Sequence, residues 1–491
     1  MDRLRDPSEL VEILGDWATA PGPLYRKLAG AVRRAVDADD VVPGDRLPSE
    51  RQLAIALAVS RATVVAAYDE LRGLGVVESR RGSGTRISRR AKLSWTGADG
   101  RVPDGRATSI FQRLVDGPGE LISLARAVET GIPELGDALL DLVHEDLPHL
   151  LLDVGYHPRG LPVLRDVIAD QFTELSLPTT SDQVVVTTGA SQAIALAAQM
   201  YVRKGVTVVV ESPSWPGCLD VFRSAGARLV GVPLDEEGIR IDGVAQALAD
   251  QPALLYVMPT YHNPTGTLMS AGRRRRIAEL ATKHGVPVLE DNAYTTLAGA
   301  LGVPPPIAAF APANAQILTI GSLAKAVWAG LRIGWLRAPG QIAERLARHK
   351  ALADLGSPVL DQALAARLFP KIPDLAAART IVLRNRLDHL GRLLAEHLPS
   401  WQWRVPDGGS ALWIHLPDTD ARVFAQVALR HGVEVVPGAA MDPDGTHDTH
   451  IRLPFTFPID VLTELFHRLH AAWVELQQHG PASTTPQQPI V

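Results

Sequence analysis

Five short apolar runs, at residues 184–186, 206–210, 253–257, 286–289 and 317–320, constrain this chain more than any other feature. Each is bounded by Gly, Pro or polar residues, and helical stretches lie between most of them. Runs of this length without polar alternation read as strands buried on both faces, joined by crossover helices. The expected fold of this part is therefore α/β, built on a mostly parallel sheet. In such sheets ligands bind beyond the carboxyl ends of the strands. Polar clusters stand at those ends: Thr187-Thr188-Gly189-Ala190-Ser191, Asn263-Pro264-Thr265-Gly266, Asp291 to Tyr294, and Gly321-Ser322-Leu323-Ala324-Lys325.

The 491 residues allow about three domains. With 46% apolar and 21% charged residues the chain can bury a sizeable core, which excludes wholesale disorder. A lone Cys218 excludes an internal disulfide and a cysteine-based zinc site, and fits a reducing, cytoplasmic setting. The N-terminus mixes acids and bases and lacks a signal-peptide apolar core. The uncharged stretch 184–202 carries Thr187, Thr188, Ser191, Gln192 and Gln199, so a strand and helix explain it better than a membrane span.

Charge separates the two ends. Residues 22–92 carry 14 Lys/Arg against 8 Asp/Glu, a balance of +6, whereas the whole chain is at −5 and the rest therefore at −11. A basic module on an acidic body suggests a polyanion partner for the module alone. Its pattern is helix at 24–36, turn at Pro43-Gly44, and a short helix at 50–57 opened by Ser49 with Gln52 as a capping box. A longer helix at 61–74 opened by Ser60 and two small strands around Arg80-Arg81-Gly82-Ser83-Gly84 complete it. This is a winged helix-turn-helix pattern. The start of the longer helix offers free N–H groups and Arg61 to a major groove, and Arg51 can grip phosphate or a guanine edge. The segment from Pro43 to Thr85 resembles the GntR-type DNA-binding domain, over some forty consecutive positions. The resemblance implies contacts to a double-stranded operator from Arg51, Arg61, Thr63 and Gly82.

The remaining motifs are weak singly and specific together. Thr188-Gly189-Ala190-Ser191 between strand and helix can cradle a phosphate on backbone N–H groups. Lys325 follows a buried strand, and Arg332 comes seven residues later. In this order and spacing the body resembles the aspartate-aminotransferase-like, fold type I class of pyridoxal 5'-phosphate (PLP) proteins, with large and small subdomains. That resemblance implies a Schiff base between Lys325 and PLP, Asp291 on the pyridine nitrogen, and Asn263 and Tyr294 on the ring hydroxyl. It also implies Ser322, Arg332 and the amides of Ala190 and Ser191 on the phosphate, and Trp215 stacked on the ring. Tyr156 would reach the phosphate of a neighbouring subunit, which requires a homodimer. Arg452 would clamp the carboxylate of an amino-acid ligand through two parallel hydrogen bonds. Residue His262 has no assigned role, and the run at 273–276 reads as a solvated helix face.

The expected organisation is a DNA-binding domain at 1–92, a linker at 93–119, and a PLP-binding body at 120–475. The body divides into a large subdomain at about 161–345 and a small one at about 346–475, and a disordered tail occupies 476–491. The combination resembles the MocR-type transcriptional regulators. It implies a regulator that senses PLP itself, or an amine or amino acid that displaces Lys325 from PLP. The alternative is a working aminotransferase that carries a DNA-binding head. No metal site and no membrane segment are expected.

Overall fold

The computed structural model describes residues 4–480, apart from 20–21, 39, 81–83, 89–120, 128 and 298–301. Gly82, the linker and the end of the chain lie outside the described residues.

Local rules build the N-terminal part. Helix α1 (Pro7–Leu14), unforeseen in the sequence, starts where the Asp6 carboxylate accepts from the Ser8 amide. Next come α2 (Leu24–Asp37), α3 (Glu50–Ala56) and α4 (Arg61–Gly73). The Ser49–Gln52 capping box starts α3, and the Ser60 hydroxyl accepts from the Thr63 amide at 3.1 Å to start α4. Strands β1 (Val77–Arg80) and β2 (Gly84–Ile87) pair antiparallel as the wing. Leu28, Val32, Leu53, Val64 and Leu71 form one core with Leu10 and Trp17. Each such side chain removed from water contributes roughly 1.5–3 kcal/mol.

The short β3 (Ile122–Ser123) precedes the main sheet. That sheet comprises β4 (Val184–Thr187), β5 (Thr207–Ser212), β6 (Arg228–Asp235), β7 (Gly238–Ile239), β8 (Leu254–Val257), β9 (Val288–Asp291), β10 (Ile317–Ser322) and β11 (Gly334–Arg337). Their spatial order is β4-β11-β10-β9-β8-β5-β6-β7. Strands β6, β5, β8, β9 and β10 run parallel in register. The last four coincide with apolar runs, β6 lies outside the five, and the run at 184–186 is β4, whose neighbour β11 is antiparallel to it. Every residue of β4, β8, β9 and β10 is buried. The exceptions are β7, which returns on β6, and β11, which returns directly on β10 without a crossover helix and so lies antiparallel between β10 and β4.

A second sheet, in the order β12-β13-β16-β15, contains β12 (Gln402–Trp403), β13 (Ala411–His415), β15 (Val436–Pro437) and β16 (His450–Pro454). Between them β14 (Val433–Glu434) pairs in parallel with β3. The last helix runs from Ile459 to His479, further than the tail boundary at 476 allows. Leu476 is still buried there, Gln477 and Gln478 suit a helix, and Gly480 at φ 66° ends it. Among the described residues no helix is long and apolar enough to cross a membrane.

Candidate cofactor site and DNA-facing surface

The carboxyl ends of β4, β9 and β10 converge with β16 on one cluster. Asp291 closes β9, where its carboxylate accepts from the Tyr256 hydroxyl at 2.8 Å and the Ala293 amide at 3.0 Å. Burial raises its pKa, against the pull of those two donors and of Lys325. Lys325, just past β10, places its Nζ 4.6 Å from the Tyr294 ring centre and donates to the Ala127 carbonyl at 2.8 Å. The Tyr294 hydroxyl shares a 2.9 Å hydrogen bond with Ser410. Burial alone would raise that phenol, yet Lys325, Ser410 and Arg452 together draw its pKa below the usual value.

Arg452, in β16, is 2% exposed, and burial pushes its pKa down to about 10. Its Nη1 donates to the Asn263 side-chain oxygen at 3.4 Å, and its Nη2 donates to the Leu124 and Ala125 carbonyls at 2.9 Å each. The Nε is buried without a hydrogen-bond partner. Asn263 thus meets the arginine expected for a carboxylate.

The phosphate cradle sits at the end of β4. Gly189 at φ 78° opens the helix Ala190–Tyr201, and no side chain caps its first N–H groups. A side chain at Gly189 would put a Cβ 2.6 Å from Arg332 Nη2, and one at Gly334 would come within 2.7 Å of the Gly189 carbonyl carbon. Only glycines let this turn, the Arg332 guanidinium and β11 meet. Arg332 donates to the Thr188 carbonyl at 3.0 Å, and the Ser322 hydroxyl accepts from the Ala324 amide at 3.2 Å. The donor set suits a PLP-sized anion with a cationic ring: uncapped amides, an arginine and a serine at one end, a buried carboxylate and an amine at the other.

Trp215 precedes the helix Pro216–Ser224, with its ring lying over Gly217. Tyr156 is 67% exposed. Tyr256 and Ser410 escaped sequence reasoning, because nothing in their local sequence marks them. The run at 273–276 needs correction: Arg274 is buried and donates to the Met269 and Pro259 carbonyls at 3.0 and 2.8 Å.

Behind the cluster lies a buried acid. Glu211 accepts from the Met258 amide at 2.7 Å, and its other oxygen has no partner. Its pKa is raised to about 8, chiefly by burial and also by Asp291, while burial takes His262 beside it down to about 3. The folded chain therefore keeps this proton to higher pH than the unfolded chain, whose glutamate titrates at 4.5. Its contribution to folding is complete below pH 4.5 and is lost as pH rises towards 8, on the order of 5 kcal/mol in all. Glu211→Gln should accordingly lose less stability than the parent in urea titrations between pH 5 and 8. Equal losses would show that Glu211 ionises freely in the fold.

On the N-terminal domain, Arg51 on α3 and Arg61 at the start of α4 are exposed, and neither forms a hydrogen bond or ion pair among the described residues. The Thr63 hydroxyl shares a 2.8 Å bond with Ser60. This domain rests on the helix Ala421–Arg430: Arg430 donates to the Ala58 carbonyl at 2.8 Å, Trp17 donates to Gln426 at 3.0 Å, and Leu429 enters its core.

Fold and site define a winged helix-turn-helix joined to a fold type I, aminotransferase-like body. Residues 154–469 match the family "Aminotransferase class I and II" and residues 24–87 match "Bacterial regulatory proteins, gntR family". A Bacillus subtilis protein named as the uncharacterized HTH-type transcriptional regulator YisV is 31% identical over 455 residues, covering 89% of this chain and 92% of its own. The probable rhizopine catabolism regulatory protein MocR of Rhizobium meliloti is 30% identical, over 66% of this chain and 67% of its own. The structure of a Pyrococcus horikoshii kynurenine aminotransferase matches 75% of this chain and 95% of its own, at 25% identity and a TM-score of 0.69. The chain belongs to the class I and II aminotransferase family and, through its N-terminal domain, to the MocR-type branch of the GntR regulators. Its cofactor is PLP.

Proposed function

We propose that the chain is a transcriptional regulator whose domain at 1–92 binds operator DNA, while the body at 120–475 holds PLP and senses an amino compound or PLP itself. One observation carries this reading: the DNA-binding domain shares its core with the body through Leu429 and hydrogen-bonds to it through Arg430 and Gln426, while Arg51 and Arg61 stay exposed, with no hydrogen bond or ion pair among the described residues. An aminotransferase has no use for such a docked head, whereas a sensor needs the contact.

PLP supplies an aldehyde for a covalent link to an amine and an electron-withdrawing ring. Lys325 provides that amine. Asp291 balances a protonated ring nitrogen, with the Tyr256 hydroxyl fixing its carboxylate. Tyr294, positioned by Ser410, and Asn263 face the ring hydroxyl, while Ala190, Ser191, Ser322 and Arg332 hold the phosphate. Trp215 covers the ring. Arg452 takes the carboxylate of an amino-acid effector, in a dry setting that strengthens charge-assisted bonds. A homodimer agrees with the exposed apolar belt around Tyr156, where Leu151, Leu152 and Val154 are 73–85% exposed. Within such a dimer the partner's phosphate is the target for Tyr156.

The test is an absorption spectrum of the PLP-loaded chain titrated with amino acids and amines, repeated on an operator selected from random duplexes. A compound that shifts the absorbance and changes DNA affinity supports the regulator. Multiple-turnover amino-group transfer to a keto acid, with no change in DNA affinity, would leave an aminotransferase.

A further inference from the structure

We infer that residues 121–127 form a strap that couples Arg452 to the DNA-binding domain, so that a carboxylate taking the guanidinium frees the strap and loosens that domain. The inference rests on the reading of Arg452 as a carboxylate clamp.

One end of the strap lies in the cofactor site. Leu124 and Ala125 give their carbonyls to Arg452 Nη2, and Ala127 gives its carbonyl to Lys325 Nζ. A guanidinium offers a carboxylate two forks: Nε with Nη2, or Nη1 with Nη2. Both use an Nη2 hydrogen, and the strap occupies both of them. A bidentate carboxylate therefore displaces at least one strap carbonyl. The buried Nε without a partner is the other half of the first fork.

The other end lies against the DNA-binding domain. Leu121 packs on that domain's core. Between the ends, the Ile122 and Leu124 amides donate to the Gly432 and Glu434 carbonyls at 3.0 and 2.8 Å, and the Ser123 hydroxyl binds the Glu434 carboxylate. Gly432 lies two residues past the helix that carries Gln426, Leu429 and Arg430, the residues on which Trp17 and Ala58 rest. Glu475 braces that helix end by accepting from Arg430 and sharing a bond with His431, at 2.8 and 2.7 Å. The strap thus touches both what a ligand must displace and what positions the DNA-binding domain. Such linkage is reciprocal: a domain held on DNA alters carboxylate affinity by the same factor.

Hydrogen exchange of the PLP-loaded full chain tests this, comparing the parent with Arg452→Lys, whose ammonium keeps the charge but loses the fork. The expected result, without added ligand, is exchange about ten-fold faster in the strap and in the docking segments 10–18 and 53–59, with β10 unchanged. Should β10 also loosen, Ser123→Ala decides instead, since it frees the strap at Glu434 and leaves the clamp intact. A strap as protected as in the parent overturns the coupling. So does a loosened strap beside docking segments that exchange at the parent rate. A parallel absorbance titration with the twenty amino acids judges the clamp separately. A spectral response that survives Arg452→Lys refutes the carboxylate reading, whatever the exchange shows.

Discussion

Lys325→Ala should abolish the Schiff-base absorbance completely and leave a chain that loses PLP on dialysis. Only a primary amine can make the link, and Lys325 is the lysine set against the Tyr294 ring and acting on Asp291. Lys350, fully buried, is committed to Asp354 at 2.7 Å and to Gln192 at 3.0 Å. The fold should survive. Lys325 is only partly buried and contributes one hydrogen bond and one ring contact, so its loss falls in the ordinary range of about 1 kcal/mol. Phosphate-end contacts remain in the variant and should give weak, reversible PLP binding without the imine band. Near-ultraviolet absorbance after borohydride treatment reads the difference, because reduction fixes PLP to the parent alone. A band that persists in Lys325→Ala would mean that another amine holds the cofactor and that the placement of the site is wrong.

The parts of this molecule that were legible in the sequence are those whose partners are close or whose patterns are unbroken. The helix-turn-helix is fixed by caps such as Ser49–Gln52 and Ser60–Thr63, each three residues apart. The buried strands announce themselves as apolar runs because both faces are covered. What stayed hidden depends on distance along the chain. Tyr256 finds Asp291 35 residues away, and Tyr294 finds Ser410 at 116. The antiparallel β11 begins with Gly334 and ends with Arg337, so no apolar run marks it. Arg274 sits in a row of four arginines, and only the packing of its helix shows which of them turns inward. The strap was invisible for the same reason, since its carbonyls are backbone atoms that any residue supplies, and only the fold sets them against Arg452.

For the DNA-binding half, Arg61→Ala should weaken operator binding by about 10- to 100-fold, or roughly 1–3 kcal/mol, with PLP absorbance unchanged. The position is informative because it works against folding. Arg61 is the first residue of α4, where the helix dipole is positive and a cation costs about 0.3–1 kcal/mol. It forms no hydrogen bond or ion pair among the described residues that would offset this. An anion or base edge supplied by DNA would. The variant should therefore be as stable as the parent, or slightly more so, while binding DNA less well. Salt dependence then identifies the contact. A phosphate partner predicts a slope of log K against log salt that is shallower by about one, with all duplexes affected alike. A guanine partner predicts an unchanged slope and relaxed discrimination at one base pair. Arg51→Ala, on α3, provides the comparison within the same domain. If Arg61→Ala bound the operator as tightly as the parent at every salt concentration, α4 would not be the element that enters the groove.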